Sequence, residues 1–260
     1  MMKKHAMAPI SHGGALTVLL CVSLFVFGCA GTNHELDRKK ARAEAALGIS
    51  LVQENQARAG LKHLLEAGRL APENARIQNQ LALVYRDLKH YAPALKHFKK
   101  ALELEPDFPE AWNNMGTVYL LLKRWDLAIP CFTKAAETLT YKTPHFAYNN
   151  LGLAYFQKKE YKKAIESYRE ALSFAPDYSL CWNNLGTAYE AAKDWTEAEK
   201  AFKNALRYAP EYPTPHLHLG KLYLKQQEIK KAQKELEEAI RLAPEGPIAD
   251  EAKRLLSGIH

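Results

Sequence analysis

The stretch 182–210, WNNLGTAYEAAKDWTEAEKAFKNALRYAP, decides the fold. It carries Trp182, Leu185, Gly186 and Tyr189 at helical spacing, then Ala198, Phe202 and Ala205 on a second helical stretch, then Pro210. The same residue types return along the chain. Prolines 72, 106, 176, 210 and 244 are separated by 34, 70, 34 and 34 residues, and 70 is two periods of 34 with two residues added. On that register Gly48, Ala82, Gly116, Gly152, Gly186 and Gly220 share one column, and Tyr85, Tyr119, Tyr155, Tyr189 and Tyr223 share another. Gly60, Ala94, Ala128, Ala164, Ala198 and Ala232 form a third, and Phe98, Phe132, Tyr168 and Phe202 a fourth. A glycine inside a helix costs about 1 kcal/mol relative to alanine, so its return needs a packing reason. A small residue there lets two antiparallel helices approach at the short end of the roughly 8–10 Å range. The aromatics are expected to fill the space between neighbouring pairs, and the proline to stop each second helix.

This pattern resembles the tetratricopeptide repeat, W-x₂-L-G-x₂-Y followed by A-x₃-F and a terminal proline. Residues 182–210 match it at every position. The resemblance implies an all-α fold, a right-handed superhelical solenoid of six helix pairs over about 41–246, in which stacking buries what one pair cannot. The stretch Ile248 to Leu256, within 247–260, reads as a C-terminal capping helix with Ala249, Lys253 and Ser257 toward its polar side.

Composition agrees with a folded chain. The 260 residues are 47% hydrophobic and 25% charged, and a mean hydropathy of -0.36 argues against a polytopic membrane protein. The net charge of +7 is a small remainder of 36 basic over 29 acidic residues, mixed along the chain, which argues against a nucleic-acid partner. No HExxH, GxSxG, GxGxxG after a strand or GxxxxGK[ST] occurs, so no enzyme activity, small-molecule substrate or cofactor is expected. The histidines are scattered, and His216 and His218, two apart, face different sides of a helix, which points to solvated or helix-flanking rings rather than a metal site. Cys131 and Cys181 lie fifty residues apart with no CxxC spacing, and read as small packing residues. The lysine pairs 99–100, 158–159, 162–163 and 230–231 read as solvated outer faces.

The amino terminus carries an address. After Lys3 and Lys4, thirteen uncharged residues run from Ala15 to Phe27; as a helix they span roughly 20 Å, short of the roughly 30 Å hydrocarbon core, which is the length of a signal-peptide apolar region. The residues are also compatible with an uncleaved anchor or with ordinary cleavage near Ala30. Val26-Phe27-Gly28-Cys29 resembles the lipobox of bacterial lipoproteins. That resemblance implies a signal over 1–28, lipidation of Cys29, a polar spacer over 29–40, and sorting to the outer membrane because Ala30 is not Asp. Several acyl chains together anchor firmly where one does not.

A surface must then carry the function. In tetratricopeptide arrays unit positions 2, 5, 9, 12 and 13 face inward; carried over here, they are Glu110, Asn113, Thr117, Leu120 and Leu121 in the third unit. The fourth supplies Phe146, Asn149, Leu153, Phe156 and Gln157, and the fifth Leu180, Asn183, Thr187, Glu190 and Ala191. The expected partner groove is Asn113, Leu120, Phe146, Asn149, Leu153, Phe156, Leu180 and Asn183: an asparagine ladder, begun by Asn79, beside Phe and Leu that take apolar side chains. The bland alternative is that the asparagines are repeat consensus and the apolar residues pack between units. The lengthened third unit, Thr138-Leu139-Thr140-Tyr141-Lys142-Thr143-Pro144 before HFAYNNLG, is similar to that of the type IV pilus assembly lipoproteins of the PilF/PilW type. The resemblance implies a pilotin on the periplasmic face of the outer membrane, held by an acyl anchor at Cys29, that binds secretin subunits and promotes their localisation and multimerisation. A lipoprotein adaptor scaffolding peptidoglycan-enzyme or protease complexes would use the same fold, anchor and groove.

Overall fold

Six turns of one kind punctuate the chain. Asn55, Lys89, Lys123, Lys159, Lys193 and Gln227 each adopt φ of 56–63°, the left-handed region, although none is glycine. Each follows the first helix of a unit and closes it with reverse bonds, as where the Lys193 N–H donates to the Glu190 carbonyl at 3.0 Å and that of Asp194 to the Tyr189 carbonyl at 2.9 Å. The Cβ strain at such a site is about 1–2 kcal/mol. Lys193 is exposed, so Lys193→Gly should relieve that strain against a smaller entropic loss. A net gain of about 0.5 kcal/mol is expected, read as a rise in thermal midpoint of about 1–2 °C.

The computed structural model describes the backbone of residues 15–259 and the side chains of 34–259. Among these residues there are thirteen helices and no strand. They are α1 (Ala15–Gln53), α2 (Ala57–Leu70), α3 (Ala75–Asp87), α4 (Tyr91–Leu104), α5 (Pro109–Leu121), α6 (Trp125–Ala136) and α7 (Pro144–Gln157). There follow α8 (Tyr161–Phe174), α9 (Ser179–Ala191), α10 (Trp195–Tyr208), α11 (Pro213–Lys225), α12 (Ile229–Leu242) and α13 (Pro247–Ser257). Alternate helices begin the units of the 34-residue register. The chain divides into two bodies, one ending at Lys89 and one beginning at His90.

In the first body α2 packs on α1 and α3 on α2. The α1–α2 crossing is so close that a Cβ on Gly60 would stand 2.5 Å from the Gly48 carbonyl oxygen. Ala41, Leu64, Ala67 and Leu81 form the buried centre. Residues 34–40, expected as part of a polar spacer, are exposed but helical, because α1 runs through them without a break. No helix among the described residues is long and apolar enough to cross a membrane.

In the second body each helix from α4 to α13 packs on the next. The glycine column marks the close approach of the two helices of a pair, as expected. The aromatics do both jobs: Phe132, Tyr168 and Phe202 lie against Gly116, Gly152 and Gly186 of their own pair, while Tyr168 shares a cluster with Cys181 and Leu185 of the next pair and Phe202 one with Leu219, Leu222 and Tyr223. A Cβ on those glycines would stand 2.5–2.7 Å from the ring. Ring and glycine exclude one another, since the rings are buried and have nowhere to retreat. The Trp column has an equally local role. Trp112 Nε1 donates to the Pro106 carbonyl at 2.9 Å and Trp182 Nε1 to that of Pro176 at 2.8 Å, tying each helix to the turn before it.

The lengthened unit departs from this pattern. Helix α6 ends at Ala136, and seven residues, 137–143, precede α7, where four, 175–178, separate α8 from α9. Tyr141 is buried among Ala135, Ala136 and Ala147 and pins the longer turn, leaving Leu139 fully exposed at its tip. At the carboxyl end α13 caps the array by packing Ala252 and Leu255 against Leu217, Leu236 and Ala239. Ala249, expected on the polar side, is fully buried instead. It stands in the column of Ala111, Ala147 and Cys181, also buried, so the cap docks as the first helix of a seventh unit would.

Candidate functional site

Position 2 of each unit follows directly on the turn. This places Phe146 and Leu180 in the first turns of α7 and α9, where little covers them: they are 43% and 42% exposed. Leu121, at the end of α5, is 53% exposed. Between these ends Leu120, Leu153 and Phe156 are half-buried, and Phe156 leans on Tyr161 with ring centres 5.5 Å apart. The apolar members of the expected groove are therefore partly open to solvent on three successive first helices.

Two aromatic residues join this surface that position counting does not pick out. Tyr178, just before α9, meets Phe146 edge-on at 5.7 Å, and His145 lies 4.2 Å from Phe146 and 5.6 Å from Tyr178. Burial pushes the Tyr178 hydroxyl up to about 12, so it stays a neutral donor at any physiological pH. A signal for Tyr178 existed, since Phe108 and Tyr212 hold the same place before α5 and α11.

The asparagines behave otherwise. Asn149 and Asn183 are buried, and the ladder bonds to itself: Asn150 Nδ2 donates to Asn113 Oδ1 at 3.1 Å, and Asn184 Nδ2 to Asn149 Oδ1 at 3.0 Å. Each bond crosses from one first helix to the next. Where these amides are paired they act as joints between units rather than as open groove surface, because a buried carboxamide must find its partner inside the protein.

The remaining candidates resolve into packing and surface. His63 Nδ1 lies 2.7 Å from Glu44 Oε2, and His216 Nδ1 2.6 Å from Glu235 Oε2, each linking the two helices of one unit. His218 is not a solvated ring: it lies flat on Phe202 at 5.1 Å, and burial lowers its basicity. Among the described residues no group of His, Cys, Asp or Glu could hold a metal ion. Cys131 and Cys181 are free and buried, and burial pushes the Cys131 thiol up to about 12. Lys162 and Lys163 are exposed, with Lys163 paired to Glu160 at 2.7 Å. The Cys29 side chain lies outside the described residues.

Stacked helix pairs on a 34-residue register, joined by an asparagine ladder, define a tetratricopeptide-repeat protein. The profile described as the cilia and flagella-associated protein 70 C-terminal domain matches residues 107–242, more than half the chain, and the chain belongs to that family. A TPR-repeat profile also matches residues 82–123. No curated protein sequence is a match. Among solved structures, PilF of Pseudomonas aeruginosa is similar over 85% of this chain and 98% of its own, with TM-score 0.74 and 18% identity. PilW, described as a widely conserved type IV pilus biogenesis factor, is similar over 83% and 98%, with TM-score 0.75 and 21% identity. YrrB, described as having an unusual peptide-binding site, is similar over 74% and 97%, with TM-score 0.58 and 21% identity.

Proposed function

We propose that this chain is an outer-membrane lipoprotein of type IV pilus biogenesis, a pilotin that captures secretin subunits on its inward apolar surface and promotes their localisation and multimerisation. The observation that carries the reading is the fold likeness to both PilF and PilW over 98% of their chains, joined to the lengthened third unit and the Gly28-Cys29 sequence. Exposed Leu121, Phe146 and Leu180 support a protein partner, because a partner would bury apolar surface that is otherwise left in water. The chain acts by binding, not by catalysis, and the lipid on Cys29 holds it at the periplasmic face.

Two measurements test this. A radioactive fatty acid should label the wild type and leave Cys29→Ser unlabelled; equal labelling of both removes the anchor from the reading. In cells that depend on the chain, its deletion should leave the secretin monomeric and the surface without pili. Normal secretin multimers, with altered cell-wall enzymes or proteases, would replace the pilotin with an envelope adaptor.

A further inference from the structure

The asparagine ladder stops one step before the end of the array. Asn113 and Asn149 each accept from the asparagine that begins the next step, Asn150 and Asn184. In the same register the residue 35 after Asn183, as Asn184 is 35 after Asn149, is His218. Asn183 Oδ1 and His218 Nδ1 are both enclosed, and neither has a hydrogen-bond partner among the described residues. His218 instead lies flat on Phe202, with the ring planes 5° apart.

We infer that the step between α9 and α11 is a joint built into the array, at which the sixth unit and its cap swing as one body against the units before them. An enclosed polar atom without a partner disfavours the closed state, and opening lets water reach it. Within the second body the paired steps at Asn113 and Asn149 have no such incentive; Asn79 Oδ1, also enclosed and unpartnered, belongs to the first body. The joint is held closed by a buried core, in which Ala198 and Phe202 pack with Leu219, Leu222 and Tyr223, and at its rim Lys225 Nζ is 2.6 Å from Glu190 Oε1 and 5.1 Å from the Trp195 ring centre, and Tyr223 donates to Glu199 at 2.9 Å. Lys225 is half-exposed, so this pairing is weak and screened by salt. Past the joint, Lys221 pairs with Glu251 at 2.7 Å and α13 shares the cluster of Leu217 and Leu236, which binds α11, α12 and α13 together. Opening would widen the inward surface beside Leu180. The inference stands whether or not the chain serves pili.

Backbone amide exchange on the full-length protein in detergent, read by mass spectrometry, tests it. His218→Asn offers Asn183 the missing donor. Exchange over α11–α13 should slow about tenfold, the usual worth of one recovered hydrogen bond, with α5 and α7 unchanged; raised salt should speed it in the wild type. Fraying of a chain end would not respond to a change at residue 218 in this way. Because His218→Asn also removes the ring from Phe202, Asn183→Leu serves as the second variant. It deletes the unpaired oxygen, and leucine is what the next unit carries in that column, as buried Leu217. Asn183→Leu should slow exchange at α11–α13, whereas Asn149→Leu, which strips Asn184 of its acceptor, should speed it at α7 and α9. The joint is refuted if both leucine variants speed exchange, or if His218→Asn slows every helix equally.

Discussion

Gly152→Leu should melt the middle of the array. A Cβ at this position would stand 2.6 Å from Tyr168 Cε1, and the Tyr168 ring is 1% exposed, enclosed by Ala164, Ala171 and Cys181 of the same cluster. Leucine adds three further carbons to a contact that cannot accept the first. Overpacking of a tight core costs about 1–3 kcal/mol where neighbours can shift. Here the ring has no vacant space, so the upper end applies, and a fall in thermal midpoint of roughly 6–12 °C is expected from about 3 kcal/mol. Gly152→Ala is the sharper comparison. Helix propensity alone would make it stabilising by about 1 kcal/mol, while the ring contact makes it destabilising. A midpoint raised by alanine would show that Tyr168 does not lie on Gly152.

Phe146→Glu with Leu180→Glu should abolish partner capture and leave the fold intact. Both side chains are more than two-fifths exposed, so a carboxylate at either place stays in water in the free protein. In a complex each would be driven into an apolar contact, and truncating one such anchor is typically worth about 2 kcal/mol or more. Two together should weaken binding to a purified secretin subunit by a factor of several hundred, with unchanged circular dichroism. Phe156 is a poorer choice for this test, because it packs on Tyr161 and against the core cluster, and a charge there would also loosen α7 and α8. Lys162→Ala with Lys163→Ala, two exposed positions on α8, should bind as the wild type does. Unchanged capture by the Phe146/Leu180 pair would move the site off the inward surface.

Register is a property of sequence, and it fixed the helix pairs, their period, the lengthened third unit and the capping helix, because a 34-residue repeat permits one consistent set of boundaries. The same register located Phe146 and Leu180, since position 2 follows a turn and is exposed for local reasons. Sequence by itself could not say which neighbour each column meets. A glycine column requires a close approach, but only tertiary packing shows that the approaching group is the aromatic ring of the same pair. Nor could it separate Asn149 from Asn183: both occupy one column and both are buried, yet Asn149 Oδ1 accepts from Asn184 and Asn183 Oδ1 has no partner among the described residues. The register marks Tyr178 and Ala249 by their columns, but that Tyr178 meets the Phe146 ring and that Ala249 is covered are tertiary facts. Each depends on a residue some thirty positions away in the chain, and helical periodicity carries no information about which side of a helix a distant neighbour will cover.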